Sequence, residues 1–370
     1  MKYMGSKKAM LTNGLGELLV EQTQRSRRFF DPFCGSAAVS WFVAENTDRK
    51  VIAGDLQKYS VELANSILQR DRAISDSESI IFKEWIANGK KEIQALEIDL
   101  KIKKTKKYVT ENKRWSSKSS FNITNAYGGH YFSFNQAIAF DVLLNSLPQA
   151  EPFKSIALAS LIEAASNCVS SPGHTAQPFG TTDKGLDAII EAWKRDPLVY
   201  VKRTIESISL RHANSIGNSF VSEANELLND LHEGDLVFLD PPYSGVHYSR
   251  FYHVLETISR QTKVEVSGKG RYPAPDERPR SDYSLKGKSQ KAVETLLFQI
   301  SNKKASAILT FPSEMCSNGL SGSIIKDISS RYFRVKKEII KGKFSTLGGN
   351  NENRPARQAS TELVLLLEPK

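Results

Sequence analysis

An acid, two prolines and an aromatic ring follow directly on a buried-type apolar run in VFLDPPY (Val237–Tyr243). Neither proline has an N–H to donate, so the turn is stiff and its carbonyls lack local partners. Asp240 and Tyr243 flank the pair so closely that a plain Pro-rich strand stop is the weaker reading. Two earlier segments have the spacing of a ligand cradle. In DPFCGSAAVS (Asp31–Ser40), Gly35 lets the backbone approach a ligand, and the helix that follows offers unpaired N–H groups. Asp55 lies 20 residues beyond Gly35, where an acid can accept hydrogen bonds from ribose hydroxyls. Taken alone, that pair also fits an ordinary tight turn with a capping Asp, and dinucleotide dehydrogenases use the same logic.

These segments need strands to end where they begin. RRFFDPF closes a short strand at Asp31, KVIAGD a second at Asp55, and Ser36–Glu45 and Lys58–Gln69 read as the helices after them. Lys7–Gln22 is the expected first helix, although Gly14 and Gly16 weaken it. From about 75 to 215 the alternation gives way to helices, at Ser133–Leu147, Phe153–Val169 and Leu198–Arg211. It then returns with a strand at Ser219–Val221, the helical EANELLNDL, DLVFLD, a helix in SRFYHVLETI, and the buried strand ASAILTF. Tyr332–Ile340 and Thr361–Leu367 are expected to pair as an antiparallel hairpin around LGGNNEN. The expectation is an α/β fold: a seven-stranded, mostly parallel Rossmann-like sheet with a terminal antiparallel hairpin and a helical insertion. Residues 1–74 and 216–370 would form the sheet domain, and 75–215 the basic insertion.

Composition narrows the chemistry. The 370 residues are 40 % hydrophobic and carry a net charge of +10, which points mildly to a polyanionic partner. Cys34, Cys168 and Cys316 are single and far apart, and the six histidines show no ligand spacing, so neither a disulfide framework nor a metal site is expected. No apolar run approaches a membrane span, and MKYMGSKKAM lacks a signal-peptide core, which fits the cytoplasm. Between Lys101 and Lys118 eight Lys/Arg face one Glu. That run is either a solvated face or a phosphate contact, and the interleaved Tyr108 and Trp115 favour the second.

Taken in order, these segments resemble the Dam-like (alpha-class) DNA adenine-N6 methyltransferases. KYMGSK (Lys2–Lys7) is similar to the family's N-terminal motif, DPFCGS to its Gly loop, Asp55 to its ribose-binding acid and DPPY (Asp240–Tyr243) to its catalytic motif. FSTLGGN and ARQASTELVLLL are similar to its last loop and strand. One departure stands out: the family's loop has a second glycine where this chain has Ala37, a methyl that is costly if the backbone there takes positive φ.

The resemblance implies S-adenosylmethionine as methyl donor, bound by Tyr3, Met4, Gly5, Lys7, Asp31, Phe33, Cys34, Gly35, Ser36, Asp55 and Asp240, with Glu223 as acceptor for its adenine amino group. Glu223 also reads as a plain helix N-terminal acid. Asp240, Pro241, Pro242 and Tyr243 would be catalytic, the Asp240 carboxylate and Pro241 carbonyl accepting the target amino hydrogens. Tyr243 would stack on a base rotated out of duplex DNA, with Phe311 as an opposite wall or a core residue. Lys103, Lys104, Lys106, Lys107, Arg114 and Arg250 are the DNA-contact candidates, together with the loop Gly268–Lys288. His247 and Tyr248 follow the catalytic turn, and His174 and Gln177 form a polar loop that is either a pocket rim or a plain turn. A monomer is expected, with a separately encoded restriction endonuclease as a possible companion. Two alternatives stay open: an RNA base methyltransferase, or a methyltransferase-fold DNA-binding protein that has lost turnover.

Overall fold

Runs such as VIAG, LVFL and AILTF show no polar alternation, the pattern of strands covered on both faces. In the computed structural model, which describes residues 5–97, 101–345 and 357–370, they form the centre of a seven-stranded sheet. Its strands are β1 (Phe29–Asp31), β2 (Val51–Asp55), β3 (Asn218–Val221), β4 (Leu236–Leu239), β5 (Ser306–Pro312), β6 (Phe333–Ser345) and β7 (Arg357–Pro369). The order is β3-β2-β1-β4-β5-β7-β6, with β3 to β5 parallel and β7 antiparallel to both β5 and β6.

The chain runs outward from β1 through β2 to β3, then restarts on the other side of β1 with β4 and β5. Such a reversal leaves a crevice beyond the carboxyl ends of β1 and β4, where open α/β sheets bind ligands. Phe30, Val237, Leu239, Leu309, Phe311 and Leu365 pack the sheet's core. At about 1.5–3 kcal/mol per large apolar side chain, this packing is what holds the strand ends in place.

The sheet belongs to one compact unit, made of the stretch ending at Arg72 together with His212–Tyr248 and Pro279–Lys370. The other unit, Ala73–Arg211 with Ser249–Arg278, is helical. It therefore takes in residues 249–278, which the sequence reading had placed with the sheet. Its central helix, Phe153–Cys168, is buried along most of its length, and Phe134–Asn145 starts with a reciprocal Ser133–Gln136 cap. Among the described residues no helix is long and apolar enough to cross a membrane.

Three differences from the sequence reading have local causes. The first helix is two, Lys8–Leu11 and Leu15–Gln24, because Gly14 takes φ 89° between them. The SRFYHVLETI helix is likewise divided, into Tyr248–Phe251 and His253–Arg260. Tyr108 does not face solvent beside the lysines: it is 5 % exposed and packs with Leu186, Ile189, Ile190 and Trp193, because it lies on the inner face of the helix Lys106–Ser116. The hairpin strands pair as expected and run longer, while LGGNNEN lies outside the described residues.

Ala37 is fully buried at φ 58°, ψ 11°, just before the helix Ala38–Asn46. This is the costly branch of the sequence expectation. A left-handed alanine is strained by about 1–2 kcal/mol, but its buried methyl returns about 0.8 kcal/mol. Glycine would also loosen the unfolded chain by about 0.4–1 kcal/mol. The opposing effects nearly cancel. Ala37→Gly is thus expected to change stability by less than about 1 kcal/mol, and Ala37→Val to cost more than about 2 kcal/mol through branching and overpacking. Urea unfolding of the two variants checks this; a valine variant as stable as the parent would contradict it.

Candidate active site

The parallel strands deliver one functional segment each at their carboxyl ends. β1 ends in Asp31, which is 1 % exposed and accepts a 2.5 Å hydrogen bond from Ser40 Oγ. Burial pushes its carboxyl up to about 7, with Asp240 and Asp55 adding to the rise and the Ser40 hydroxyl and Phe33 N–H opposing it. Beyond it the chain turns tightly: Cys34 N–H donates to the Gly54 carbonyl at 3.0 Å, and Ala37 N–H to the Cys34 carbonyl at 2.7 Å. The buried Cys34 thiol is pushed far up, first by burial and then by Asp55 and Asp31, so it is a small packed side chain and not a nucleophile.

Asp55 ties the ends of β1 and β2 together. Its Oδ2 accepts from Gly35 N–H at 3.0 Å and its Oδ1 from Gln57 N–H at 2.9 Å. A carboxylate has about four lone-pair sites, so these two bonds do not by themselves exhaust its acceptor capacity. Ser222 N–H donates to the Asp55 carbonyl at 3.1 Å, which brings Glu223 beside it. Glu223 precedes the short helix Ala224–Leu227, and its carboxyl is raised by partial burial, then by Glu226 and Asp282. Phe33 meets the buried Tyr283 ring edge-on at 5.1 Å, and Tyr283 hydroxyl donates to Asn225 Oδ1 at 2.9 Å.

After β4 comes the DPPY turn, and its groups are unequally engaged. Asp240 Oδ1 lies 2.9 Å from Lys7 Nζ and accepts from Thr310 Oγ1 at 3.0 Å. Lys7 Nζ is also 2.6 Å from Glu362 Oε1 on β7, and both of these side chains are 3 % exposed. Burial works against the Lys7 charge, but Asp240 and Glu362 more than offset it and hold the ammonium well above its usual range. The Pro242 carbonyl accepts from Asn318 Nδ2 at 2.8 Å, and the same amide donates to the Tyr283 carbonyl at 3.0 Å. Among the described residues nothing donates to the Pro241 carbonyl, and no described contact falls on Asp240 Oδ2. The turn is tied through Asp240 Oδ1 and the Pro242 carbonyl, and the Pro241 carbonyl and Asp240 Oδ2 lie between these ties.

Tyr243 leans over this arrangement. Its ring centroid is 5.9 Å from Lys7 Nζ and 6.5 Å from the rings of Tyr248 and Phe311, edge-on to each ring. Gly5, at φ 74°, fits under it: a Cβ there would stand 2.2 Å from the Tyr243 hydroxyl oxygen. Phe311 is fully buried, so it backs Tyr243 from the core. Tyr3 and Met4 lie outside the described residues. His247 Nδ1 accepts from Ser281 N–H at 3.3 Å, which anchors the segment after the turn.

The DNA-contact candidates lie in the helical unit. Lys103, Lys104, Lys106, Lys107 and Arg114 are all exposed; Lys104 pairs with Asp187 at 2.6 Å and Lys106 with Asp183 at 3.0 Å. Arg250 is exposed, with its guanidinium 4.8 Å from the Tyr272 ring centroid. In the same unit, burial lowers the His174 imidazole, whose ring packs at 5.5 Å on Phe251, while Gln177 is exposed. Sequence reasoning missed Ser40, Thr310, Asn318 and Glu362. Only Glu362 left a signal, as a lone acid at the head of the apolar run LVLLL.

Asp31, Asp55 and Asp240 stand at the strand ends and interact electrostatically, Glu223 and Asp55 can accept from amino and hydroxyl groups, and Phe33 with Tyr283 gives an aromatic edge. Comparison with known proteins identifies the family. The family model described as "D12 class N6 adenine-specific DNA methyltransferase" matches residues 3–273. The chain is 25 % identical over 317 residues to "Modification methylase LlaI" of Lactococcus lactis subsp. lactis, covering 81 % of this chain and 44 % of that protein. It is 25 % identical over 284 residues to "Type II methyltransferase M.FokI" of Planomicrobium okeanokoites, covering 73 % and 38 %. To "Type II methyltransferase M.NlaIII" of Neisseria lactamica it is 24 % identical over 306 residues, covering 73 % and 72 %. The chain thus spans less than half the length of the first two of these relatives.

The raised Asp31 carboxyl has a signed consequence. The folded chain holds this proton up to about pH 7, while the unfolded chain releases it near 3.8. Between those values the folded state binds more protons, so the Asp31 contribution is full at low pH and is lost as pH rises through about 7. Asp31→Asn cannot lose it. The stability of this variant relative to the parent is therefore expected to improve from about pH 4 to about pH 8 in urea unfolding. A difference that stays flat across that window would contradict the assignment.

Proposed function

The chain belongs to the D12 class N6 adenine-specific DNA methyltransferase family, and on that premise we propose that it methylates the N6 amino group of adenine in double-stranded DNA with S-adenosylmethionine as donor. One observation carries this reading: in the DPPY turn Asp240 Oδ1 and the Pro242 carbonyl are engaged, while among the described residues no contact falls on the Pro241 carbonyl or Asp240 Oδ2. Those two oxygens match the two hydrogens of an exocyclic amino group.

An aromatic amino group is a poor nucleophile because its lone pair is delocalised into the ring. Accepting both hydrogens favours a pyramidal nitrogen, with the hydrogens drawn out of the ring plane and the lone pair localised on nitrogen and directed at the methyl group. S-adenosylmethionine, when bound, supplies an electrophilic methyl group on a sulfonium. Asp55 and Glu223 would take its ribose hydroxyls and adenine amino group, with Phe33 against the purine and the Gly5–Lys7 segment near its methionine end. The carboxylates at the strand ends favour its positive charge. Holding donor and acceptor in one geometry supplies much of the rate, up to about 7–11 kcal/mol in the best intramolecular models. The surplus proton on the nitrogen passes from Asp240 Oδ2 to water after transfer, so no histidine is needed as a base.

A stacked adenine cannot reach this turn, so the base must be rotated out of the duplex. Tyr243 would stack on it, a contact of about 1–3 kcal/mol. Lys103, Lys104, Lys106, Lys107, Arg114 and Arg250 would contact phosphates, with the paired Lys104 and Lys106 exchanging a carboxylate for a phosphate oxygen. The relatives' names, a modification methylase and Type II methyltransferases, support a modification role in a restriction–modification pair, and the proposal extends to a cytoplasmic monomer with a separately encoded endonuclease.

Tritiated S-adenosylmethionine offered with duplex DNA and with RNA, followed by nucleoside analysis, tests the reading. Label is expected in N6-methyladenine of DNA. Asp240→Asn is expected to slow transfer at least about a hundredfold, the scale of losing one preorganised acceptor or donor. Label only in RNA, or in no polymer, would overturn it.

A further inference from the structure

The mechanism above uses Asp240 but leaves its buried neighbours without a task. Lys7 Nζ sits between two carboxylates, 2.9 Å from Asp240 Oδ1 and 2.6 Å from Glu362 Oε1. Glu362 is placed there by the β5–β7 register, which sets it opposite Pro312, one residue beyond Phe311 and two beyond Thr310. It is 2 % exposed, at the head of a strand segment whose next three residues, Leu363, Val364 and Leu365, are core. A carboxylate in such a place is costly unless it is paired. One ammonium is thus shared by two carboxylates, and burial raises the Glu362 carboxyl while Lys7 opposes that rise and Asp240 adds to it.

The sharing matters for the acceptor. An ammonium belonging to Asp240 alone would withdraw charge from its carboxylate and weaken Oδ2 as a hydrogen-bond acceptor. Because the Lys7 ammonium is within ion-pair distance of Glu362 as well as Asp240, Asp240 is oriented through Oδ1 by a charge that it shares. Resting on the proposed methyl transfer, we propose that Glu362 is a positioning residue that sets the acceptor strength of Asp240 by competing with it for the Lys7 ammonium. The other groups facing the cluster are Thr310, which donates to Asp240 Oδ1, the Tyr243 ring over Lys7, Asp31 from β1, and Cys316, whose thiol feels the Glu362 charge.

Opposite shifts in the pH profile distinguish this role from structural support. Glu362→Gln keeps the shape and removes the competitor, so Lys7 falls to Asp240 alone. The acid limb of kcat is expected to move to lower pH and the plateau to drop about tenfold, with S-adenosylmethionine affinity by calorimetry within about threefold of the parent. Lys7→Met leaves the two carboxylates unscreened, and the acid limb is expected to move to higher pH. Glu362→Asp keeps the charge on a shorter arm and is expected to shift the limb in the direction of the glutamine variant by a smaller amount. If the glutamine variant shows no cooperative unfolding transition, the aspartate variant carries the test, and an unshifted limb there overturns the proposal. A glutamine variant with parental kcat and limb, or limbs moving the same way in the Gln and Met variants, also overturns it. A parent chain that transfers no methyl group would instead refute the reaction itself.

Discussion

Lys7 comes from the segment just before the first helix, Asp240 from the end of β4 and Glu362 from β7, and their three charged groups meet in the buried interior. Parts of the sheet unit far apart in sequence are thereby fixed to one another at the point where the proposed chemistry is placed. Removing one partner of such a buried cluster is strongly destabilising, by about 3–5 kcal/mol in comparable pairs. The orientation of the DPPY carboxylate is therefore a property of the whole sheet and not of its loop.

The remaining constraints serve the same end. Asn318 fastens the second proline carbonyl to the Tyr283 backbone, and the prolines themselves contribute no N–H that could fold the turn onto its own acceptors. Asp55 performs a matching task on the other side of the crevice, holding Gly35 and Gln57 N–H groups so that the loop after β1 and the end of β2 keep one geometry. Both loops stand on parallel strands with helices on their faces, which is why short loops suffice to place polar groups accurately.

Much of this was legible in the sequence because it rests on local signals. Apolar runs ending in Asp31, Asp55 and Asp240 are strands, and the acids stand at their carboxyl ends, where the proposed site lies. Gly14 already hinted at the break it makes in the first helix. What was not legible depends on register and three-dimensional burial. Asn318 and Thr310 are ordinary polar residues in sequence, and only the sheet brings them within hydrogen-bond distance of the DPPY turn. Tyr108 looked like a base-stacking ring because it sits among lysines, yet helical periodicity turns it inward onto Trp193. Ala37 declared its departure from the family's glycine, but its left-handed backbone could be read only from the fold.

The central claim is that the turn after β4 presents two open oxygens, held by a rigid surround, to an amino group. A crystal structure of the chain with a non-transferable analogue of S-adenosylmethionine and an adenine-containing duplex tests it directly. The account expects the target amino nitrogen within about 3.2 Å of both the Pro241 carbonyl oxygen and Asp240 Oδ2, with Asp240 Oδ1 still on Lys7. An extruded base whose amino group meets neither oxygen, or an Asp240 that has turned away from Lys7 to receive it, would contradict it.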